Sequence, residues 1–116
     1  GIDVVRPATE VRPIACNARQ KLPGKSVVTA IVHFPPNAYT AAHRHPGSVV
    51  AVVMSGILRS QLNSGAIGTY TTHQTWFEPS VALHNFVENA SAAESADLLA
   101  TFVGDENCGP LVIPEL

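Results

Sequence analysis

Three stretches in succession, VVTAIVHF (27–34), AHRHPG (42–47) and VVAVVM (49–54), decide how this chain is read. The first and third are apolar and rich in β-branched residues, which suits strands. Pro35-Pro36-Asn37 stops the first of them. The third is apolar throughout and reads as a strand buried on both faces. Between them, His43 and His45 are separated by one residue, so on an extended chain both rings point to the same face. Two neutral imidazoles brought together offer two nitrogen lone pairs, half of a metal site. His84 lies in a further strand-like run, 81–87, which an antiparallel fold can bring opposite that pair. A His-x-His pair alone is as often ordinary core as ligand; a third histidine in a matching pattern tips the reading to metal.

Working outward, 57–62 is the hairpin partner of 49–54 through Ser55-Gly56, and Asn63-Ser64-Gly65 makes a second turn. Short strands follow over 67–72, 75–77 (closed by Pro79), 83–88 and 96–103. Propensity also permits a helix over 90–99, although Ser and Asn at its start suit a turn equally. Residues 1–25 are polar and carry Pro7, Pro13 and Pro23. They read as an extended arm, with 10–15 able to pair at a sheet edge and 21–25 turning at Pro-Gly. Many short strands with turn residues between them predict an all-β sandwich or barrel. The expected layout is one domain over 1–116, with the arm at 1–25, a barrel core at 27–103 and a tail at 104–116.

At 116 residues the chain is one domain with room for a core. Its 46% hydrophobic and 14% charged content marks it as globular rather than disordered. A net charge of −2 provides no basic face for nucleic acid and no polybasic stripe for a membrane. No run is long enough for a transmembrane helix and no signal-peptide pattern opens the chain; localisation stays open, with the cytoplasm favoured. Cys16 and Cys108 would pair only if the termini meet, and are expected to be free, buried thiols. Asn89-Ala90-Ser91 fits the glycosylation acceptor pattern.

The chain resembles the cupins, small antiparallel jelly-roll β-barrels that usually hold a metal in the barrel mouth. The first cupin motif, G-x5-HxH-x3,4-E-x6-G, falls on Asn37, His43, His45, Val49 and Gly56. The second, G-x5-PxG-x2-H-x3-N, falls on His73, Pro79, Val81, His84 and Glu88, with the asparagine one place later at Asn89. Three motif glycines are thus Asn37, His73 and Val81, and a β-branched Val is poorly suited to a left-handed turn, so the turn before His84 is expected to change shape. The motif's glutamate is Val49. The resemblance therefore implies a metal centre of His43, His45 and His84 without a protein anion, with nitrogen–metal distances of about 2.0–2.2 Å. A small-molecule substrate is expected, and apolar strand faces with an N-terminal arm make a homodimer the expected assembly.

Such a centre keeps the full charge of a divalent cation and leaves positions open. It would take a chelating anionic substrate, such as an enolate, a phenolate beside a carbonyl or a diketone. With Fe(II), the favoured metal, the expected activity is that of a dioxygenase; with Mn, Zn or Ni it is a cyclase, isomerase or decarboxylase. A non-catalytic small-ligand-binding domain is the alternative from another class. Around the metal, Glu78 is a candidate proton carrier or orienter of a ligand histidine, or else a turn cap before Pro79. Period two counted from Ile57 puts Arg59 and Gln61 on one face, possible lining for a cavity. Arg59 would clamp a carboxylate or enolate, though a solvated strand charge is its favoured reading. Val49, Trp76 and Tyr39 are the candidate pocket walls. His33 and His73 are read as non-ligands, and Phe34, Phe77, Phe86 and Phe102 as core.

Overall fold

A computed structural model describes residues 6–18, 25–105 and 111–114. The described residues form eleven strands and no helix, in chain order β1 (Glu10–Ala18), β2 (Lys25–Phe34), β3 (Tyr39–Thr40), β4 (His43–Arg44), β5 (Ser48–Ser55), β6 (Leu58–Leu62), β7 (Ile67–Tyr70), β8 (Thr75–Glu78), β9 (His84–Glu88), β10 (Ala96–Asp105) and β11 (Ile113–Pro114). The alternative of a helix over 90–99 is thereby excluded: Asn89 and Ser91 organise a turn, and the apolar run beyond it is strand. Among the described residues nothing is long, helical and apolar enough to cross a membrane. The turn expected over 21–25 lies outside the described residues up to Lys25, which opens β2.

The strands divide into two antiparallel sheets. One runs β1-β2-β10-β5-β8; the other runs β11-β4-β9-β6-β7, with β3 paired to β9. This is the all-β jelly roll expected, in its sandwich form: among the described residues no ladder closes the two sheets into a barrel. Inward residues alternate strictly with outward ones along β2, where Val28, Ala30, Val32 and Phe34 are buried. They meet Ala96, Leu98, Ala100 and Phe102 of β10, and Val49, Ala51 and Val53 of β5, in one core. Leu58 of β6 and Val87 of β9 close it from the opposite sheet.

The apolar run 49–54 is buried on one face only, since Val50 and Met54 are 45% and 47% exposed. Its continuity misled because β5 has neighbours on both edges but only one sheet face is covered. Phe77, on the outer face of β8, is 57% exposed, and Phe86 is half-buried and stacked on Tyr39 with ring centroids 6.0 Å apart; neither is core. Pro13 is accommodated because β1 is an edge strand, and the β1–β2 register slips between Pro13 and Ala15. Cys16 is exposed and disulfide-bonded, not a buried free thiol; Cys108 lies outside the described residues.

The three residues standing where the motif has glycine all keep the left-handed backbone: Asn37 at φ 63°, His73 at 70° and Val81 at 53°. The turn before His84 has therefore not changed shape. It is held from outside, by the Val81 amide donating to the His45 carbonyl (2.9 Å) and by Arg44 Nη1 donating to the Val81 carbonyl (2.8 Å). Those bonds tie the strained turn to the strand that carries His43.

Candidate metal centre

Each strand's alternation delivers its own ligand. His43 on β4 is the direct cross-strand partner of His84 on β9, and both rings turn inward. His45 follows His43 by two residues and stays on the same face. Gly47 then lets the chain pass against β10, where a Cβ would fall 1.5 Å from the Val103 carbonyl oxygen. On β8, Trp76 and Glu78 point in and Thr75 and Phe77 out. Glu78 stands directly across from Val49 of β5.

The result is a buried cluster of His43, His45, Glu78 and His84, each 7% exposed or less. One ligand atom from each lies within 4.8 Å of every other, close to the reach of one ion bonded to two ligands at roughly 2.1 Å. The site is therefore not devoid of a protein anion, as expected from Val49. The carboxylate has moved to the adjacent strand, and Glu78 is neither a turn cap nor an outer partner but a member of the cluster. His33 and His73 are outside it: the His33 Nδ1 pairs with Asp97 at 2.7 Å, and His73 sits exposed at its turn.

Hydrogen bonding fixes which atoms face inward. His43 Nδ1 lies 2.7 Å from the Ala41 carbonyl, and His45 Nδ1 2.5 Å from the Leu111 carbonyl. A carbonyl only accepts, so both Nδ1 atoms carry the proton and both Nε2 atoms carry lone pairs. Those two Nε2 atoms are 3.1 Å apart. Ser60 Oγ holds His84 Nε2 at 2.6 Å, which turns His84 Nδ1 toward Glu78 Oε1 at 3.2 Å. Neither of those last two atoms has a hydrogen-bond partner, and both are buried. Glu78 Oε2, by contrast, accepts from the Trp76 indole N–H at 2.9 Å, which fixes the carboxylate plane.

Burial acts first on His43 and lowers its pKa below the ordinary 6.5, with the neighbouring imidazoles adding to that effect against the Ala41 carbonyl and Glu78. His43 is thus kept neutral, as a ligand must be. Burial alone would raise Glu78, but His84, the Trp76 N–H and His45 outweigh it and hold the carboxyl below its ordinary 4.5. The Nε2 lone pairs of His43 and His45 therefore share one buried space with the Glu78 carboxylate and His84 Nδ1. A divalent cation fits this donor set, three imidazole nitrogens and one carboxylate oxygen, and would satisfy the two orphaned atoms.

The cluster opens on a cavity of about 310 Å³. Val49, Trp76 and Tyr39 line it, as do Ala8, Thr9 and Val11 of the N-terminal arm. Arg59 and Gln61 do not. The inward face of β6 belongs to Leu58 and Ser60, so Arg59 turns away to Glu88 (2.8 Å) and Gln61 to the Gly65 carbonyl (2.9 Å). Counting from Ile57, an exposed residue ahead of the strand, set the alternation one place out. Sequence reasoning missed Ser60, which the same alternation counted from Leu58 would have found. It also missed the latch on the arm: Arg6 Nη1 reaches Glu88 Oε2 at 2.6 Å while its guanidinium lies 5.0 Å over the Tyr39 ring.

No family model and no curated protein sequence matches the chain. Solved structures do. A cupin domain from Bordetella pertussis Tohama I superposes with a TM-score of 0.69 at 23% identity, over 87% of this chain and 98% of that one. The fold is the cupin fold. Oxalate oxidase in complex with the substrate analogue glycolate matches this chain with a TM-score of 0.70 at 18% identity, over 90% of this chain and 54% of that one. A DMSP lyase from Ruegeria pomeroyi DSS-3 matches at 0.64 and 15%, over 75% of this chain and 42% of that one. The chain thus spans about half the length of those two enzymes, whose reactions differ from each other. Fold alone assigns it neither.

Proposed function

We propose that this cupin is a metal-dependent enzyme that holds one divalent cation through His43 Nε2, His45 Nε2, His84 Nδ1 and Glu78 Oε1 and acts on a small chelating substrate. The observation that carries this is the pair of Nε2 lone pairs 3.1 Å apart beside the unpartnered Glu78 Oε1 and His84 Nδ1. Buried polar atoms without partners are costly, and here one cation would serve all four. An alternative use of the same residues fails on geometry. Ser60, His84 and Glu78 follow the order of a nucleophile–base–acid relay, but Ser60 does not line the cavity, so a ligand there would not reach its hydroxyl.

Fe(II) is the metal we assign, and a dioxygenase or related oxidoreductase the reaction class. Three imidazoles and one carboxylate suit Fe(II) and Mn(II), and a bound Fe(II) would supply activation of dioxygen beside a chelated substrate. The chain's own residues would do the rest. Trp76 and Ser60 orient Glu78 and His84, and Phe34, Leu98 and Phe102 exclude water from the reacting end. The test is metal analysis of the protein as purified, followed by anaerobic Fe(II) loading and oxygen-electrode measurements with diketone, enol and phenolic chelators. Stoichiometric iron with substrate-dependent oxygen uptake is the expected result. Metal uptake with substrate turnover but no oxygen consumption would replace the oxygenase with a lyase or isomerase. Lack of metal binding by all of Fe, Mn, Zn and Ni would defeat the proposal.

A further inference from the structure

The cavity has one charged pole, the cluster; Thr9 and Thr40 also line it, with their hydroxyls bonded to each other. Beyond the four clustered side chains, its walls include Val32 and Phe34 of β2, Leu98 and Phe102 of β10, and Val11 of β1. Among the described residues no lysine or arginine lines it. The arginines nearest in sequence to the ligands are engaged elsewhere, Arg44 on the Val81 carbonyl and Arg59 on Glu88. An ionic group carried into this space away from the cluster would lose its water and find no counter-charge.

Charge counting sharpens the point. A divalent cation with Glu78 ionised and three neutral imidazoles leaves a net charge of one positive at the pole. A monoanionic chelator brings that to neutrality, whereas a dianion leaves a buried negative charge unpaired. The volume, about 310 Å³, is at the lower end for ligand pockets and suits a short chain or a single ring.

We infer that the ligand of this cavity carries its only ionic group at the chelating end, with a neutral, apolar body behind it: an alkyl or aryl enolate or hydroxyketone monoanion rather than a dicarboxylate. This rests on the proposed reading of the cluster as a cation site. The experiment uses the full chain loaded with Ni(II), the loading itself followed by calorimetry, and then titrated with acetohydroxamate, hexanohydroxamate and the six-carbon hydroxamate ending in a carboxylate.

Affinity should rise roughly fourfold for each methylene buried, while the carboxylate-ended probe should bind no tighter than acetohydroxamate. Val11 is 43% exposed at the cavity wall, so Val11→Arg adds a cation there with little demand on the core. That variant should tighten the carboxylate-ended probe several-fold relative to hexanohydroxamate, and no such gain would count against the inference. Nickel uptake with a flat chain-length series, or with the carboxylate-ended probe binding as tightly as hexanohydroxamate, overturns the inference alone. Failure to take up Ni(II) overturns the cluster reading, and the inference with it.

Discussion

Glu78 faces the histidines because β8 runs one residue further than Phe77, so the alternation that buries Trp76 also buries Glu78. Proline two residues ahead of a strand's apparent end reads as a stop, and a carboxylate beside it reads as a cap; only the pairing of Glu78 with Val49 shows that a lost ligand has been replaced across the ladder. Glu78→Gln should therefore weaken divalent metal binding by more than the roughly 10–100-fold typical of removing an outer partner. The double change Val49→Glu with Glu78→Val returns a carboxylate to the same spot from the neighbouring strand and should recover much of the affinity that Glu78→Val loses. Calorimetric metal titrations of the three variants decide this, and no recovery in the double variant would mean that the two side chains do not address one cation. The histidines themselves were legible, since spacing by two fixes their common face whatever the tertiary structure. Val81 was not, because its left-handed backbone is imposed by bonds from Arg44 and His45 that no local pattern announces. Val81→Gly should relieve that strain and raise stability by about 1 kcal/mol, net of the entropy glycine adds to the unfolded chain. Equilibrium denaturation of the metal-free protein measures it; a destabilised Val81→Gly would show that the turn is not strained.

The N-terminal arm is an element whose role appears only in three dimensions. Arg6 bonds to Glu88 and to the Asn37 carbonyl, the Tyr39 amide donates to the Pro7 carbonyl, and Thr9 meets Thr40, so the arm is fastened along the cavity edge before it becomes β1. Polar, proline-punctuated sequence reads as an extended arm, but cannot say that Ala8, Thr9 and Val11 form a cavity wall. The strands were legible from β-branched and apolar runs; the side on which each faced was legible only where the count began inside the strand, and β6 shows the cost of starting one residue early. Glu88 is held by two arginines of unequal exposure, with Arg6 side-chain accessibility at 27% and Arg59 at 42%. Arg6→Ala should accordingly cost about 1–2 kcal/mol, and the more exposed Arg59→Ala less than about 1 kcal/mol. Hydrogen exchange should show residues 6–11 losing protection in the first variant and keeping it in the second. Equal loss in both would place the arm's anchor elsewhere. At the same position in the fold, Asn89 spends its amide on the Phe34, Pro35 and Glu94 carbonyls and is 1% exposed, which removes it as a glycosylation acceptor in the folded protein.

For the molecule as a whole, the cluster makes the metal-free protein sensitive to acid. His43 lies below its ordinary 6.5 and Glu78 below its ordinary 4.5, so in each case the unfolded chain takes up the proton first as pH falls. The folded state therefore loses stability on acidification, through His43 from about pH 6.5 downward and through Glu78 from about pH 4.5 downward. Denaturant midpoints of metal-stripped protein should fall between about pH 7.5 and pH 5, and a His43→Gln variant should flatten the upper part of that slope; a wild-type midpoint constant over this range would contradict it. The sheet order carries a different consequence, one for synthesis. β2 is flanked by β1 and by β10, and roughly sixty residues separate Phe34 from Ala96. At about 5–20 residues per second, a ribosome leaves one edge of β2 unpaired for several seconds, and the four clustered side chains do not share a chain until His84 has emerged. A nascent chain ending before β10 should thus be caught by chaperones or aggregate, and cation loading follows the synthesis of β9 rather than belonging to any earlier folding unit.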